Sequence, residues 1–260
     1  KQNNESSKMF NLEFVHLIRK AELEMVIKYL PKNAQILEIG GGTGIQAKEL
    51  TKKGFKIISI DVPESNYKLE KVFPVKEYDG KNLPFPDNHF DFIFSSNVLE
   101  HIKNIDGLFV EFSRVLKKKG ACLHIMPSGT WRFWTNITNY LEFLQRFIIL
   151  ILSLIPKSLA LSELIKFKSF PISFIKLIFQ YTFPPRHGEF GNCITEVYTF
   201  SSHAWMRVIS RTNFNLISSN PGGLFYTGHT FLGMYLDLSS RQKMAKFLGS
   251  ACIFYYLQKK

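Results

Sequence analysis

A glycine-dense turn between an apolar run and a helix-like run constrains most strongly how this chain can fold. Residues 36–39 enter the turn at residues 40–44, and residues 45–50 have the composition of a helix start. A strand, a tight turn and a helix N-terminus in this order let backbone N–H groups and a helix dipole face a polar ligand. Glycine suits the turn because its backbone adopts unusual dihedral angles and approaches a ligand without a Cβ. The pattern predicts an α/β sheet that binds a ligand at this turn.

Each of the next three predicted strands ends at or just before a polar side chain: Asp61, Asp79 and Asn97. Ligands of open α/β sheets bind outside the carboxyl ends of the strands, so these side chains should line one crevice with the glycine turn. An acid after the second strand can accept hydrogen bonds from ribose hydroxyls. A solvated Asp at a strand end is the alternative for Asp61 alone.

These segments together resemble the class I S-adenosylmethionine (SAM) dependent methyltransferases, in their ubiquinone/menaquinone-methyltransferase-like, type 11 branch. Glu38 with three alternate glycines resembles the first motif of that family, residues 79–85 (DGKNLPF) resemble its D-x-x-x-LPF segment, and residues 98–101 resemble its VLEH signature. A nicotinamide-binding domain would share the glycine turn and the acid at Asp61, but it has no reason to carry the segment at 79–85 or Glu100 and His101. The resemblance implies SAM as the cofactor and methyl transfer as the reaction.

The resemblance also implies which residues bind the cofactor. Glu38 and the backbones of Gly40, Gly42 and Gly44 would hold the methionine end of SAM, and Asp61 would hold the ribose. Asp79, Gly80 and Leu83 would surround the adenine. Asn97 would contact the methionine moiety or the acceptor.

The length of 260 residues fits one domain that carries an insertion. We predict a Rossmann-like class I methyltransferase sheet, mostly parallel with an antiparallel last strand, and a helical insertion after the fifth strand. A helix over 203–212, capped by Ser201 or Ser202, should follow the insertion. The predicted segments are an N-terminal helix (1–30), a SAM-binding core (31–130), the insertion (131–200), the completion of the core with strands at 214–218 and 231–238 (201–238), and a basic amphipathic tail (239–260).

The net charge of +12 is concentrated in two segments outside the predicted core. Residues 131–186 hold seven basic and two acidic side chains, and residues 239–260 hold five basic and none acidic. Nucleic-acid binders usually carry a basic stripe across the functional face, so nucleic acid is not the expected partner. The three cysteines are scattered and predict no disulfide framework, which favours a reducing, cytoplasmic location.

The insertion combines apolar runs with lysines. A membrane span needs about 20 consecutive apolar residues, whereas the run at 147–152 is short and the run at 159–183 is interrupted by lysines and Pro171. Basic residues beside aromatic ones suit helices that lie in the interface of an anionic membrane, which predicts peripheral binding to the cytoplasmic membrane face. A cap over the core or a homodimer interface is the alternative.

Methyl transfer from SAM is an in-line displacement that needs alignment and, for a hydroxyl acceptor, a base. His101 is the first candidate for that base because it follows the fourth strand, where an acceptor should approach; fixing the loop is its alternative role. His187 and Glu189 could form a base with its orienting carboxylate, or a solvated turn. A His-x-Glu pair without a third ligand does not predict a metal.

Three functions follow from these patterns. The first is a SAM-dependent methyltransferase that acts on an amphipathic or lipid-linked acceptor at a membrane surface. The second is the same enzyme acting on a soluble small molecule, with the insertion as a cap or dimer interface. The third is an inactive methyltransferase fold that serves as a binding or scaffold protein, which the intact motif residues argue against.

Overall fold

The computed structural model describes residues 2–65, 71–152, 174–176, 178–179, 181–228, 233 and 235–260. Its centre is a seven-stranded sheet. The strands are β1 (Gln35–Ile39), β2 (Lys56–Asp61), β3 (Val75–Glu77), β4 (Phe90–Ser96), β5 (Leu116–Pro127), β6 (Phe214–Pro221) and β7 (Cys252–Lys259).

The strands lie in the order β3-β2-β1-β4-β5-β7-β6. The first five pair in parallel, and β7 runs antiparallel to both of its neighbours, β5 and β6. This confirms the predicted fold class. Strand β1 has β2 on one side and β4 on the other, so the direction of strand order reverses there. In open α/β sheets a ligand crevice forms at such a reversal.

Helices cover both faces of the sheet. They include α1 (Gln2–Val26), α2 (Ile45–Lys52), α3 (Ile105–Val115), α4 (Gly129–Leu152), α5 (Thr195–Thr199), α6 (Ser202–Ser210) and α7 (Leu238–Leu248), with 3₁₀ turns at Ile27–Tyr29 and Leu99–His101. Helix α6 begins where the sequence predicted a helix, and its cap is Ser201, whose hydroxyl accepts the Ala204 N–H at 3.3 Å.

Two apolar clusters hold the layers together, one on each face of the sheet. On one face the buried side chains of α1, among them Ile18 and Leu23, pack with Phe92 and Phe94 of β4. On the other face Phe112 of α3 lies in a cluster with further residues of the parallel strands. Strands β1 and β4 are covered on both faces, which explains why they are almost continuously apolar.

The segment predicted as a basic tail at 239–260 is instead part of the core, so that prediction was wrong. It forms α7 and then β7, where Tyr255 and Leu257 are fully buried. Strand β7 is inserted between β5 and β6, and its aromatic and apolar residues therefore fill the two sides of the sheet. The strand predicted at 231–238 is wrong: residues 231, 232 and 234 lie outside the described residues, the described ones before Leu238 form turns and loop, and Leu238 begins α7.

The insertion begins with α4, which contains the apolar run at 147–152. One face of α4 is apolar and exposed, with side chains at helical spacing: Ile137, Leu141, Leu144, Ile148 and Ile151. Most of the phenylalanine-rich segment predicted at 159–183 lies outside the described residues. Among the residues that are described, no helix combines the length and the apolar character that crossing a membrane requires.

Candidate functional site

A cavity of about 1250 Å³ opens at the carboxyl ends of β1, β2 and β4. Its walls include the glycine turn after β1 and the polar side chains that follow the next strands. The predicted site residues that line it are Gly40, Gly42, Asp61, Asp79, Gly80, Asn97, His101 and His187. The structure thus brings together side chains from separate parts of the chain, as the sequence predicted for one crevice.

The turn after β1 needs glycine for both conformation and space. Gly40 and Gly44 have φ values of 69° and 78°. A Cβ on Gly40 would lie 2.3 Å from Cγ2 of Val98, and a Cβ on Gly44 would lie 2.7 Å from Cβ of Phe73. The Gly40 N–H donates to the Ile60 carbonyl at 2.8 Å, which fixes the turn to β2. No residue with a side chain fits here without moving its neighbours.

Asp61 connects β2 to this turn. Its carboxylate accepts the Gly42 N–H at 2.9 Å and the Val62 N–H at 2.8 Å. Each carboxylate oxygen has a second lone pair, so these two bonds leave acceptor capacity for ribose hydroxyls. The contact of Asp61 with a ribose stays a prediction.

Asp79 closes a polar loop on the opposite wall. Its carboxylate accepts the side-chain N–H of Asn82 at 2.9 Å and the backbone N–H groups of Lys81 and Asn82 at 2.8 and 2.7 Å. These hydrogen bonds, led by the one from the Asn82 side chain, lower the pKa of Asp79. Leu83 is 3% exposed and does not line the cavity; its N–H donates to Glu111 Oε2 at 2.7 Å.

Glu38 lies beneath the glycine turn rather than in the cavity. It is 2% exposed, and the Ser59 hydroxyl donates to its Oε2 at 2.5 Å. Burial raises the pKa of Glu38 to about 7; the nearby Asp61 charge also raises it, and the Ser59 bond works in the other direction. The structure places the Glu38 side chain as a support of the turn, and its contact with a bound methionine moiety stays a prediction.

Helix α1 contributes two cavity residues that the sequence reasoning missed, His16 and Arg19. Arg19 donates to Glu22 Oε2 at 2.7 Å, and the Tyr226 hydroxyl donates to Glu22 Oε1 at 2.7 Å. His16 Nε2 lies 2.9 Å from the Thr43 hydroxyl in the glycine turn. The sequence feature that could have indicated these residues is the charged pair Arg19 and Glu22, three positions apart on an otherwise apolar face of α1.

The mouth of the cavity holds two imidazoles and one buried carboxylate. The rings of His101 and His187 are 4.9 Å apart between centroids. Oε1 of Glu100 lies 3.8 Å from Nε2 of each histidine. Within the described part of the chain, neither carboxylate oxygen of Glu100 has a hydrogen-bond partner.

The predicted pairing of His187 with Glu189 is not what the structure shows. Glu189 Oε1 lies 3.4 Å from Nζ of Lys103, and the carboxylate beside His187 belongs to Glu100. The Glu189 N–H donates to the Glu100 carbonyl at 2.8 Å, which fixes the end of the loop. Residues 98–101 and 187–189 are far apart in the sequence and meet only in the folded chain, so the sequence pattern could not predict this contact.

The electrostatic environment of His101 favours its neutral form. Burial lowers the pKa of His101 and outweighs the opposing influence of the Glu100 carboxylate; the neighbouring His187 adds to the decrease. Asn97 stands at the same end of β4 with φ of 54°, and its Oδ1 lies 3.5 Å from Sγ of Cys252. Its predicted contact with the cofactor or the acceptor stays a prediction.

The sheet order, the glycine turn and the acids at the following strand ends define the Rossmann-like fold of class I SAM-dependent methyltransferases. Residues 37–124, less than half of the chain, match the family described as a methyltransferase domain. A SAM-dependent methyltransferase from Archaeoglobus fulgidus superposes with a TM-score of 0.54 over 98% of this chain and 99% of that one, at 15% identity, a likeness of fold. Residues 37–124 are therefore similar to a methyltransferase domain, and the sheet has the fold of the SAM-dependent methyltransferases.

Two curated relatives match part of the chain. The biotin biosynthesis bifunctional protein of Cellvibrio japonicus is 29% identical over 144 residues, which are 50% of this chain and 28% of that protein. A ubiquinone/menaquinone biosynthesis C-methyltransferase of Cupriavidus necator is 30% identical over 109 residues, which are 38% of this chain and 45% of that protein. The chain thus spans less than half the length of either relative. These matches support the predicted SAM cofactor.

Proposed function

We propose that this protein binds SAM in the cavity and transfers the methyl group to an acceptor that enters beside His101 and His187. The observation that carries this proposal is the continuity of the cavity from the glycine turn, Asp61 and Asp79 to the two histidines. A cofactor held at one end would direct its methyl group along the same space toward the other end.

The chemistry required of the protein is modest. A nucleophilic atom of the acceptor forms a bond to the methyl carbon while the sulfur–carbon bond breaks, and a neutral thioether, S-adenosylhomocysteine, is left. Because the sulfonium is already a good leaving group, alignment and the exclusion of water supply most of the acceleration. A carbon or nitrogen acceptor can react directly, and a hydroxyl acceptor must also lose a proton.

The proposed acceptor is amphipathic and reached at a membrane surface. Trp131, in the first turn of α4, lies 4.6 Å from the His187 ring between centroids, so α4 begins at the cavity mouth. The exposed apolar face of α4 extends away from that point. The name of the Cupriavidus relative supports a quinone precursor as one acceptor of this kind. The basic side chains at 131–186 favour contact with anionic lipid.

Calorimetric titration with SAM tests the cofactor part of the proposal. Saturable binding with one site is expected, and the absence of binding would support the scaffold function instead. Co-sedimentation with vesicles of phosphatidylcholine and phosphatidylserine tests the membrane part. Binding should weaken at high salt, because the charge attraction is screened.

A variant pair makes the vesicle experiment specific. Leu141, Leu144 and Ile148 changed to Gln should abolish sedimentation while SAM binding persists. Met206→Gln and Ile217→Gln, which alter exposed apolar positions on α6 and β6, serve as the matched control. Absence of vesicle binding by the unaltered protein would contradict the membrane proposal and favour a soluble acceptor with the insertion as a cap or dimer interface.

A further inference from the structure

We propose that Glu100, His101 and His187 bind a divalent transition-metal ion at the mouth of the cavity. The metal site is inferred from geometry alone, and its role in the reaction rests on the proposed methyltransferase function. The sequence did not predict a metal because the third donor, Glu100, lies far from His187 along the chain.

The donor atoms are close to the spacing that a metal imposes. One ligand atom from each of the three residues lies within 4.8 Å of the others, and the two Glu100–histidine separations are both 3.8 Å. A tetrahedral ion with bonds of about 2.0–2.1 Å places its ligands roughly 3.4 Å apart. The side chains of His101 and His187 are 45% and 37% exposed, so a small rotation of each ring closes the difference.

Glu100 supplies the second, independent observation. Its side chain is fully buried, and both carboxylate oxygens are without a hydrogen-bond partner among the described residues. An ionised carboxylate buried in this way costs several kcal/mol unless a charge or a donor compensates it. The nearby cations are engaged elsewhere: Lys103 pairs with Glu189, and Arg132 pairs with Glu196. A divalent ion between Glu100 and the two imidazoles satisfies the carboxylate.

The donor set indicates both the metal class and its use. Two imidazole nitrogens and one carboxylate oxygen suit zinc and its divalent transition-metal neighbours, with at least one coordination position left open. His101 and His187 line the cavity, so an open position can face an acceptor there. A metal ion lowers the pKa of an oxygen bound to it. The site therefore favours an acceptor with a hydroxyl group, such as a phenol or catechol, whose oxygen receives the methyl group.

Titration of the chelator-treated full chain with Zn²⁺ and, separately, Co²⁺ tests the site. One ion per chain is expected by calorimetry, and Co²⁺ should give the visible absorption of a low-coordinate nitrogen and oxygen site. His101→Ala and His187→Ala should each weaken binding at least 100-fold, as should Glu100→Gln, which keeps the side-chain shape. His203→Ala is the control, because His203 is an exposed histidine of α6 beside Arg207.

Absence of stoichiometric binding by the unaltered protein would overturn the proposal, as would unchanged affinity in both histidine variants. The histidine variants decide the matter if Glu100→Gln does not fold. Titration of the unaltered protein with SAM is a separate measurement. Metal binding without SAM binding would refute the methyltransferase function and leave the metal site standing, and the reverse result would refute the site alone.

Discussion

Arg132 and Glu196 form an ion pair in which Nε and Oε2 are 2.9 Å apart and the two side chains are 3% and 0% exposed. The same Glu196 carboxylate accepts the N–H groups of His187 and Gly188 at 2.8 and 2.7 Å. Arg132 also donates to the Pro185 carbonyl at 2.6 Å. The loop that carries His187 is therefore held in place by a buried charge pair between α4 and α5.

Removing the acid of this pair should be costly. Glu196→Gln leaves the Arg132 guanidinium buried without its counter-charge, and we expect the free energy of unfolding to fall by about 3–5 kcal/mol. Urea denaturation followed by circular dichroism measures this change. The control is Glu24→Gln, which breaks an exposed pair with Lys53 and should cost less than about 1 kcal/mol. Equal effects of the two substitutions would contradict the structural role of Glu196.

Glu38 should give the protein a stability that depends on pH. Its pKa is about 7 in the folded state against 4.5 for the free group, so the folded state binds more protons between these values. The contribution is fully present below pH 4.5 and is lost as the pH rises through 7. We expect the unaltered protein to lose up to about 3 kcal/mol relative to Glu38→Gln between pH 5 and pH 8. Urea denaturation of both proteins at the two pH values measures this difference. An equal change in the free energy of unfolding of the two proteins between these pH values would refute the prediction.

Alanine substitutions distinguish the steric clash of an added Cβ from the backbone strain of a positive φ. Gly40 has both a positive φ and a neighbour, Val98, in the way of a Cβ, whereas Gly54 has φ of 85° and nothing within 4 Å of an added Cβ. Gly54→Ala should cost about 1–2 kcal/mol, the strain of the left-handed conformation. Gly40→Ala should cost more and should also weaken SAM binding. Gly40→Ala combined with Val98→Ala should recover only part of the loss, and full recovery would show that strain is unimportant there.

Asp61 should matter more for the cofactor than for the fold. Asp61→Asn removes the charge and one of the two carboxylate oxygens that accept the Gly42 and Val62 N–H groups. We expect the dissociation constant for SAM to rise at least tenfold, which is about 1.4 kcal/mol. Asp106→Asn, an exposed acid at the start of α3, is the control and should leave SAM binding unchanged. An unchanged constant for Asp61→Asn would remove Asp61 from the binding site.

The parts of the site that the sequence predicted are those encoded within a few residues. The glycine turn, Asp61 and Asp79 each follow a strand directly, so the local pattern and the rule for open sheets place them together. The partners of His187 could not be found in this way, because Glu100 and Glu196 reach it only through tertiary packing. Arg19 was missed for a related reason: the sequence predicted its helix but not which face of that helix meets the cavity.

The fold was predicted least well where the strand order departs from the chain order. Residues 252–259 were assigned to a tail because their aromatic residues stand beside a basic segment, which also suits a surface helix. Only the pairing of β7 with both β5 and β6 shows that these aromatic residues are interior. A strand that is last in sequence but lies between two earlier strands in space leaves no local mark of its position.

The position of β7 affects the order in which the strands can pair during synthesis. Among the described residues, β6 pairs with β7 alone, and β7 is the link between β6 and β5. During synthesis β6 leaves the ribosome before its neighbour exists and must wait, unpaired, until residues 252–259 have emerged. The five parallel strands need no such delay to pair with one another, so they can form their part of the sheet while β6 is still unpaired.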